Sequence, residues 1–177
     1  ISTAVSLPSG SDASVTITAL VKNSANNGIA AEPIRFSADS GVLQNAASVT
    51  GANGTATVLL SVGANKAQRD ITVTATAGAI SKTVVVPVSG TTVSVAGSSS
   101  MLLGETNNYT VSVKDSNGAA VGNVEVTLAS SRGNTISPAK ATTGSNGTTT
   151  FAYKAVNGGS DILTATGAGV SSQQTVL

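Results

Sequence analysis

Tyr109-Thr110-Val111-Ser112-Val113-Lys114-Asp115-Ser116-Asn117-Gly118 reads as one strand running into one turn. Tyr109, Val111 and Val113 alternate with Thr110, Ser112 and Lys114, so one face is apolar and the other polar. Asn117-Gly118 then supplies two residues that tolerate a positive φ, which the type I′ hairpin demands. The pattern recurs outward in both directions. Ile17, Ala19 and Val21 alternate with Thr16, Thr18 and Leu20. Val124, Val126 and Leu128 alternate with Glu125 and Thr127; Phe151, Tyr153 and Ala155 alternate with Thr150, Ala152 and Lys154. Further Asn-Gly pairs at 27–28, 53–54, 146–147 and 157–158 punctuate these runs as hairpin candidates. No stretch shows helical periodicity. Apolar-in, polar-out alternation with short turns predicts antiparallel sheets packed face to face.

The chain repeats itself. Val15 to Lys22 matches Asn107 to Lys114, Asn27 to Phe36 matches Asn117 to Val126, Asn53 to Leu60 matches Asn146 to Tyr153, and Thr74 to Gly78 matches Thr164 to Ala168. The matches keep one order, so each repeat is read as one domain: 1–89 and 90–177. A chain of 177 residues suits two sandwiches of somewhat under about 100 residues each. Lys82 to Val88 closes the first domain, Thr92 to Ala96 opens the second, and so short a connection predicts an elongated, semi-rigid pair. Ser98 to Gly104 and Ser130 to Ala139 are expected to be longer loops.

Composition narrows the class. Charged residues make up 10% and aromatics 2%, against 40% hydrophobic. The surface must therefore be built from hydroxyls and amides, while the apolar content suffices for a core. The net charge is +1 with no basic cluster, which argues against nucleic acid. No run approaches the roughly 18 apolar residues of a membrane helix. Cysteine is absent, which fits an exported bacterial protein better than a disulfide-stapled secreted domain. Ile1 at the start is read as a cut from a larger protein.

Catalytic chemistry finds little to work with. There is no His, so Ser-His-Asp and Cys-His arrangements and His-based metal sites are excluded. The acids Asp12, Glu32, Asp39, Asp70, Glu105, Asp115, Glu125 and Asp161 are scattered and are read as solvated turn acids. Asp115-Ser116-Asn117-Gly118 looks like a calcium loop, but Val126 stands where the bidentate Glu is needed, so a backbone-bonded turn is expected instead. Asn53-Gly54-Thr55, Asn108-Tyr109-Thr110 and Asn146-Gly147-Thr148 fit the glycosylation pattern and are read as incidental. Phe36, Tyr109, Phe151 and Tyr153 fall on apolar strand faces and are assigned to the core. Gly97-Ser98-Ser99-Ser100 and Gly158-Gly159 are read as loops. The sequence thus assigns no catalytic, cofactor or metal residue, and leaves any ligand-binding residue unassigned.

The run Tyr109 to Thr127, with Ser137-Pro138-Ala139, Ala141 to Phe151 and Ile162-Leu163-Thr164-Ala165-Thr166-Gly167, resembles the invasin/intimin-type bacterial Ig-like (group 1) repeat. The first half follows the same pattern more loosely. The resemblance implies two tandem immunoglobulin-like sandwiches, all-β, with no enzymatic activity and no cofactor. It further implies stalk repeats of a bacterial cell-surface adhesin, anchored in the outer membrane through another segment. The expected partners are neighbouring repeats and a host-cell or matrix protein, and the fragment is expected to be a monomer. Two alternatives stay open: a module that itself adheres to a host protein or glycan, and an Ig-like part of a secreted enzyme or appendage-associated protein.

Overall fold

A computed structural model describes residues 1–3 and 6–177. The chain divides into two compact units, Ile1–Ser89 and Gly90–Leu177. The described residues form strands and turns with no helix, and hence no helix long and apolar enough to cross a membrane.

The first unit contains β1 (Leu7–Pro8), β2 (Ser14–Leu20), β3 (Pro33–Ala38), β4 (Val42–Gln44), β5 (Ala47–Val49), β6 (Thr55–Ser61), β7 (Asp70–Ala77) and β8 (Ile80–Ser89). One sheet has the order β1-β8-β7-β3-β5 and the other β2-β6-β4. All pairings are antiparallel except β1 with β8. The second unit contains β9 (Thr92–Ala96), β10 (Thr106–Lys114), β11 (Glu125–Ser130), β12 (Thr135–Ser137), β13 (Lys140–Thr142), β14 (Thr148–Lys154), β15 (Asp161–Gly167) and β16 (Val170–Val176). Its sheets run β12-β14-β10-β9 and β13-β11-β15-β16, antiparallel throughout.

Each unit encloses its own core. Ile17, Phe36, Val58, Leu60, Ile71, Val73 and Val86 fill the first; Tyr109, Val111, Val126, Phe151, Tyr153 and Leu163 fill the second. These are the inward phases of the alternating runs. The four aromatic side chains are all buried, as the strand phase requires. Fully burying a side chain such as Leu60 contributes about 1.5–3 kcal/mol, and the sheets stay together because the longer strands β2, β3, β6, β7, β10, β11, β14 and β15 each offer two or more buried residues to the interior of their own unit.

Three expectations need correction. Ser130 to Ala139 is not a plain loop, since Thr135–Ser137 pairs with β14 as a short edge strand. The second repeat match is out of register. The bridge Lys22 to Gly28 corresponds to Lys114 to Ala120, and Ala31 and Asn123 share a positive φ of 57° and 58°. Ile34 therefore aligns with Val126 rather than Val124. The Asn-Gly pairs also do not form type I′ turns, because no Asn of such a pair has a positive φ. At 53–54, 117–118 and 146–147 the Gly alone does, after a turn closed by its N–H on the carbonyl of Gly51, Asp115 or Gly144. In the loop after β2, Asn26 takes that conformation (φ 65°) and its N–H bonds the Asn23 carbonyl. Both φ values are positive instead at Ala168-Gly169, between β15 and β16.

Candidate functional site

The turn before β6 and its equivalent before β14 share one construction, Thr50-Gly51-Ala52-Asn53-Gly54-Thr55 and Thr143-Gly144-Ser145-Asn146-Gly147-Thr148. The leading Thr is buried. Thr50 Oγ1 donates to the Ile29 carbonyl at 2.6 Å and accepts the Glu32 N–H at 2.9 Å. Thr143 Oγ1 donates to the Val121 carbonyl at 2.9 Å and accepts the Val124 N–H at 3.0 Å. Asn53 and Asn146 each fold back to accept the N–H of the Thr two residues on, at 3.1 Å. Gly54 and Gly147 combine φ values of 79° and 72° with close approach to the Val21 and Val113 carbonyls, so a Cβ fails there twice over. Two of the three glycosylation patterns are thus turn hardware, as expected.

Asp115 is a turn residue too, though it is buried rather than solvated. Its Oδ1 accepts the N–H groups of Asn117 and Ala119, both at 2.9 Å. That geometry turns the carboxylate onto its own backbone.

The larger correction is Asp161, which is 1% exposed. It sits at the start of β15 in phase with the buried Leu163 and Ala165. Its Oδ2 accepts from Ser130 Oγ at 2.5 Å, Asn134 Nδ2 at 2.8 Å and the Tyr153 hydroxyl at 2.9 Å. Its Oδ1 accepts from Ser131 Oγ at 2.8 Å and the Arg132 N–H at 3.1 Å. Asn134 Nδ2 also donates to the Tyr153 oxygen at 2.7 Å, while its Oδ1 accepts the N–H groups of Val156 and Asn157 at 2.8 and 2.7 Å. The Tyr153 ring meets Tyr109 edge to face, with centroids 5.5 Å apart.

Burial alone would push the Asp161 carboxyl upward, but the donors from Ser130, Asn134, Ser131 and Tyr153 outweigh it and hold the group well below the usual carboxylate range. Tyr153 is pushed up to about 12, first by burial and then by its bond to Asp161. Tyr109 is raised as well, by burial and by the Asp161 charge.

This is the densest polar cluster on the chain, and its chemistry is closed. Five donors occupy a carboxylate with about four lone-pair sites. Among the described residues no second acid bonds within it, and the neighbouring Arg132 guanidinium is turned to the Ser160 carbonyl at 2.7 Å. What it does is hold the loops 130–134 and 155–161 against the end of the core. The available sequence signal was phase: an acid at an inward strand position must find partners. Apart from Tyr153, eight residues back, those partners come from residues about thirty places away, which no local pattern shows.

Elsewhere, among the described residues, no group of three or more acids is placed to hold a metal ion. Glu105 bonds the Leu102 N–H at 2.9 Å, and Glu125 pairs with Lys140 across the surface at 2.9 Å. One groove of the first unit is walled by Ile1, Ala19, Leu20, Ile34 and Ile80, with Lys22 and Lys82 beside it, and among the described residues it brings no reactive groups together.

Two-sheet antiparallel sandwiches with these strand orders are of the immunoglobulin-like class. The chain belongs to the bacterial Ig-like domain (group 1) family, whose model matches residues 5–100 and again 104–177. The adhesin InvE of Yersinia pseudotuberculosis has a similar fold, with a TM-score of 0.63 and 18% identity over 98% of this chain. The integrin-binding protein invasin is similar at a TM-score of 0.50 and 16% identity over 99% of this chain. The chain spans 56% of the InvE structure and 38% of the invasin structure. No curated protein matches.

Proposed function

We propose that the two domains are non-enzymatic spacer repeats of a bacterial cell-surface adhesin, exposed outside the cell and anchored through another part of the protein. Membership of both domains in one repeat family carries this reading. The likeness of fold to InvE is consistent with it. The side chains support it as well. All four aromatic residues are buried, and the most concentrated polar cluster is saturated by its own donors, so the groups that usually anchor a ligand are turned inward. The partners of such repeats are neighbouring repeats and, through a distal element, a host protein.

A second reading, direct adhesion, has one observation in its favour. Leu102 and Leu103 stand 73% and 68% exposed in the loop between β9 and β10. That loop is tied to the residue following β16 by the Met101 N–H on the Leu177 carbonyl, and Leu177 is itself exposed. Binding of the labelled chain to host cells and integrin-bearing surfaces separates the two readings. The spacer reading predicts no saturable binding above an unrelated Ig-like pair. Saturable binding that is lost in Leu102→Ser/Leu103→Ser would replace it with the adhesive one.

A further inference from the structure

Five Asn-Gly pairs punctuate the chain, and the structure holds them in different states. Asn-Gly is the dipeptide in which a side-chain amide is attacked most easily by the following backbone nitrogen, because Gly offers no side chain to obstruct the approach. Whether the reaction proceeds in a folded chain depends on whether the two groups can reach an attack geometry. At Asn53-Gly54 and Asn146-Gly147 both are engaged. Each Asn Oδ1 holds the Thr two residues on, and each Gly N–H is bonded to the carbonyl of Gly51 or Gly144. At Asn117-Gly118 the Gly118 N–H is held by the Asp115 carbonyl. At Asn157 the side-chain Nδ2 is held by the Arg132 carbonyl at 2.9 Å. At Asn27-Gly28, among the described residues, neither the Asn27 side chain nor the Gly28 N–H has a hydrogen bond; Asn27 is tied down only by its own N–H on Asn23 Oδ1 and its carbonyl on the Asn23 N–H. Both residues are exposed.

We infer that Asn27 is a site of spontaneous deamidation built into the first domain. The Gly28 nitrogen, giving up its proton to solvent, bonds to Asn27 Cγ. The Cγ–Nδ2 bond breaks and ammonia leaves, giving a succinimide. Water then opens the ring at either carbonyl to yield aspartate or isoaspartate. No electron transfer is involved, and water is the sole co-reactant. The product adds one negative charge, which takes the formal net charge from +1 to neutral. The isoaspartate form also lengthens the backbone inside the turn that Asn23 and Asn27 close. That turn abuts the Thr50–Thr55 turn, where Gly28 Cα lies against Gly54. The second domain has no counterpart of this site, because Ala119-Ala120 stands at the matching place.

The five pairs fall on separate tryptic peptides: 23–35, 36–66, 115–132, 141–154 and 155–177. The folded chain is aged at mildly alkaline pH, digested, and read by mass spectrometry with fragment-ion assignment, beside a sample aged in denaturant. The expected result is deamidation at Asn27 several-fold faster than at any other pair in the folded chain, slowest at Asn53 and Asn146, with the ranking collapsing in denaturant. Another pair leading in the folded chain, or the same ranking in denaturant, would overturn the inference.

Discussion

One end of the first unit's core is closed by Ala38, Leu60 and Ile71; the matching places in the second are Ser130, Tyr153 and Asp161. The strand register fixes the equivalence, since Ala38 pairs with Val73 where Ser130 pairs with Leu163, and Leu43 pairs with Leu60 where Ile136 pairs with Tyr153. The backbone scarcely differs. Gly41 and Gly133 have φ values of 76° and 70°. Asp39 Oδ1 holds the Thr72 N–H as Ser131 Oγ holds the Ile162 N–H, at 3.0 and 2.9 Å. The loop clamps differ as well. In the first unit the Arg69 guanidinium holds the carbonyls of Val62, Asn65 and Ala67 and the Ser40 hydroxyl. In the second, Asn134 holds the shorter loop through Val156 and Asn157. One scaffold thus accepts an apolar plug or a saturated polar one. A buried carboxylate with its donors is therefore weak evidence of function here, because a sister domain fills the same place with hydrocarbon.

Breaking either plug sharpens the contrast. Asp161→Ala leaves the buried Asn134 amide and Tyr153 hydroxyl short of an acceptor, so the second unit should lose about 3 kcal/mol. Both tyrosines lie in that unit and tryptophan is absent, so urea unfolding followed by tyrosine fluorescence reports on it selectively. Ile71→Ala should cost the first unit about 2–5 kcal/mol through the cavity it opens. It should leave the tyrosine-monitored midpoint in place.

Acid separates the plugs more gently. The folded pKa of Asp161 lies below its unfolded value of about 3.9, so the carboxylate's contribution is fully present above about pH 4 and drains away as pH falls toward the folded value. The second unit should lose about 1.4 kcal/mol per pH unit in that window. The Ile71 plug has no such term. At the alkaline end the sign reverses. Tyr153, raised to about 12, contributes fully below about pH 10 and loses its contribution as pH climbs toward 12. Both slopes are read from unfolding midpoints across pH.

Much of the architecture was legible in the chain. Alternation at Tyr109 to Lys114 and at Ile17 to Val21 gave strands with the correct inward face, because a period of two survives any uncertainty about partners. The register of the second repeat match was not legible, because Asn-Gly attracted the alignment while the turn itself is made at Asn26. Gly28 is small for another reason, its close approach to the Asn53 carbonyl. The three-residue β12 is too short to show a period. Asp161 was the costliest misreading. Its neighbours Ser160 and Gly159 suggest a loop, whereas its spacing from Leu163 and Ala165 places it inside.

The claim that the Asp161 cluster is an exchangeable plug is tested most directly by giving the second unit the first unit's residues, Ser130→Ala/Tyr153→Leu/Asp161→Ile, with Asn134 retained to hold its loop. Tyr109 remains as the fluorescent reporter. Replacing a buried polar set by apolar side chains of similar volume is often neutral or stabilising. The triple variant should therefore fold, lose less stability than Asp161→Ala alone, and show no loss of stability below about pH 4 from this site. A triple variant destabilised as much as Asp161→Ala, or one that keeps the acid-dependent loss, would contradict the account.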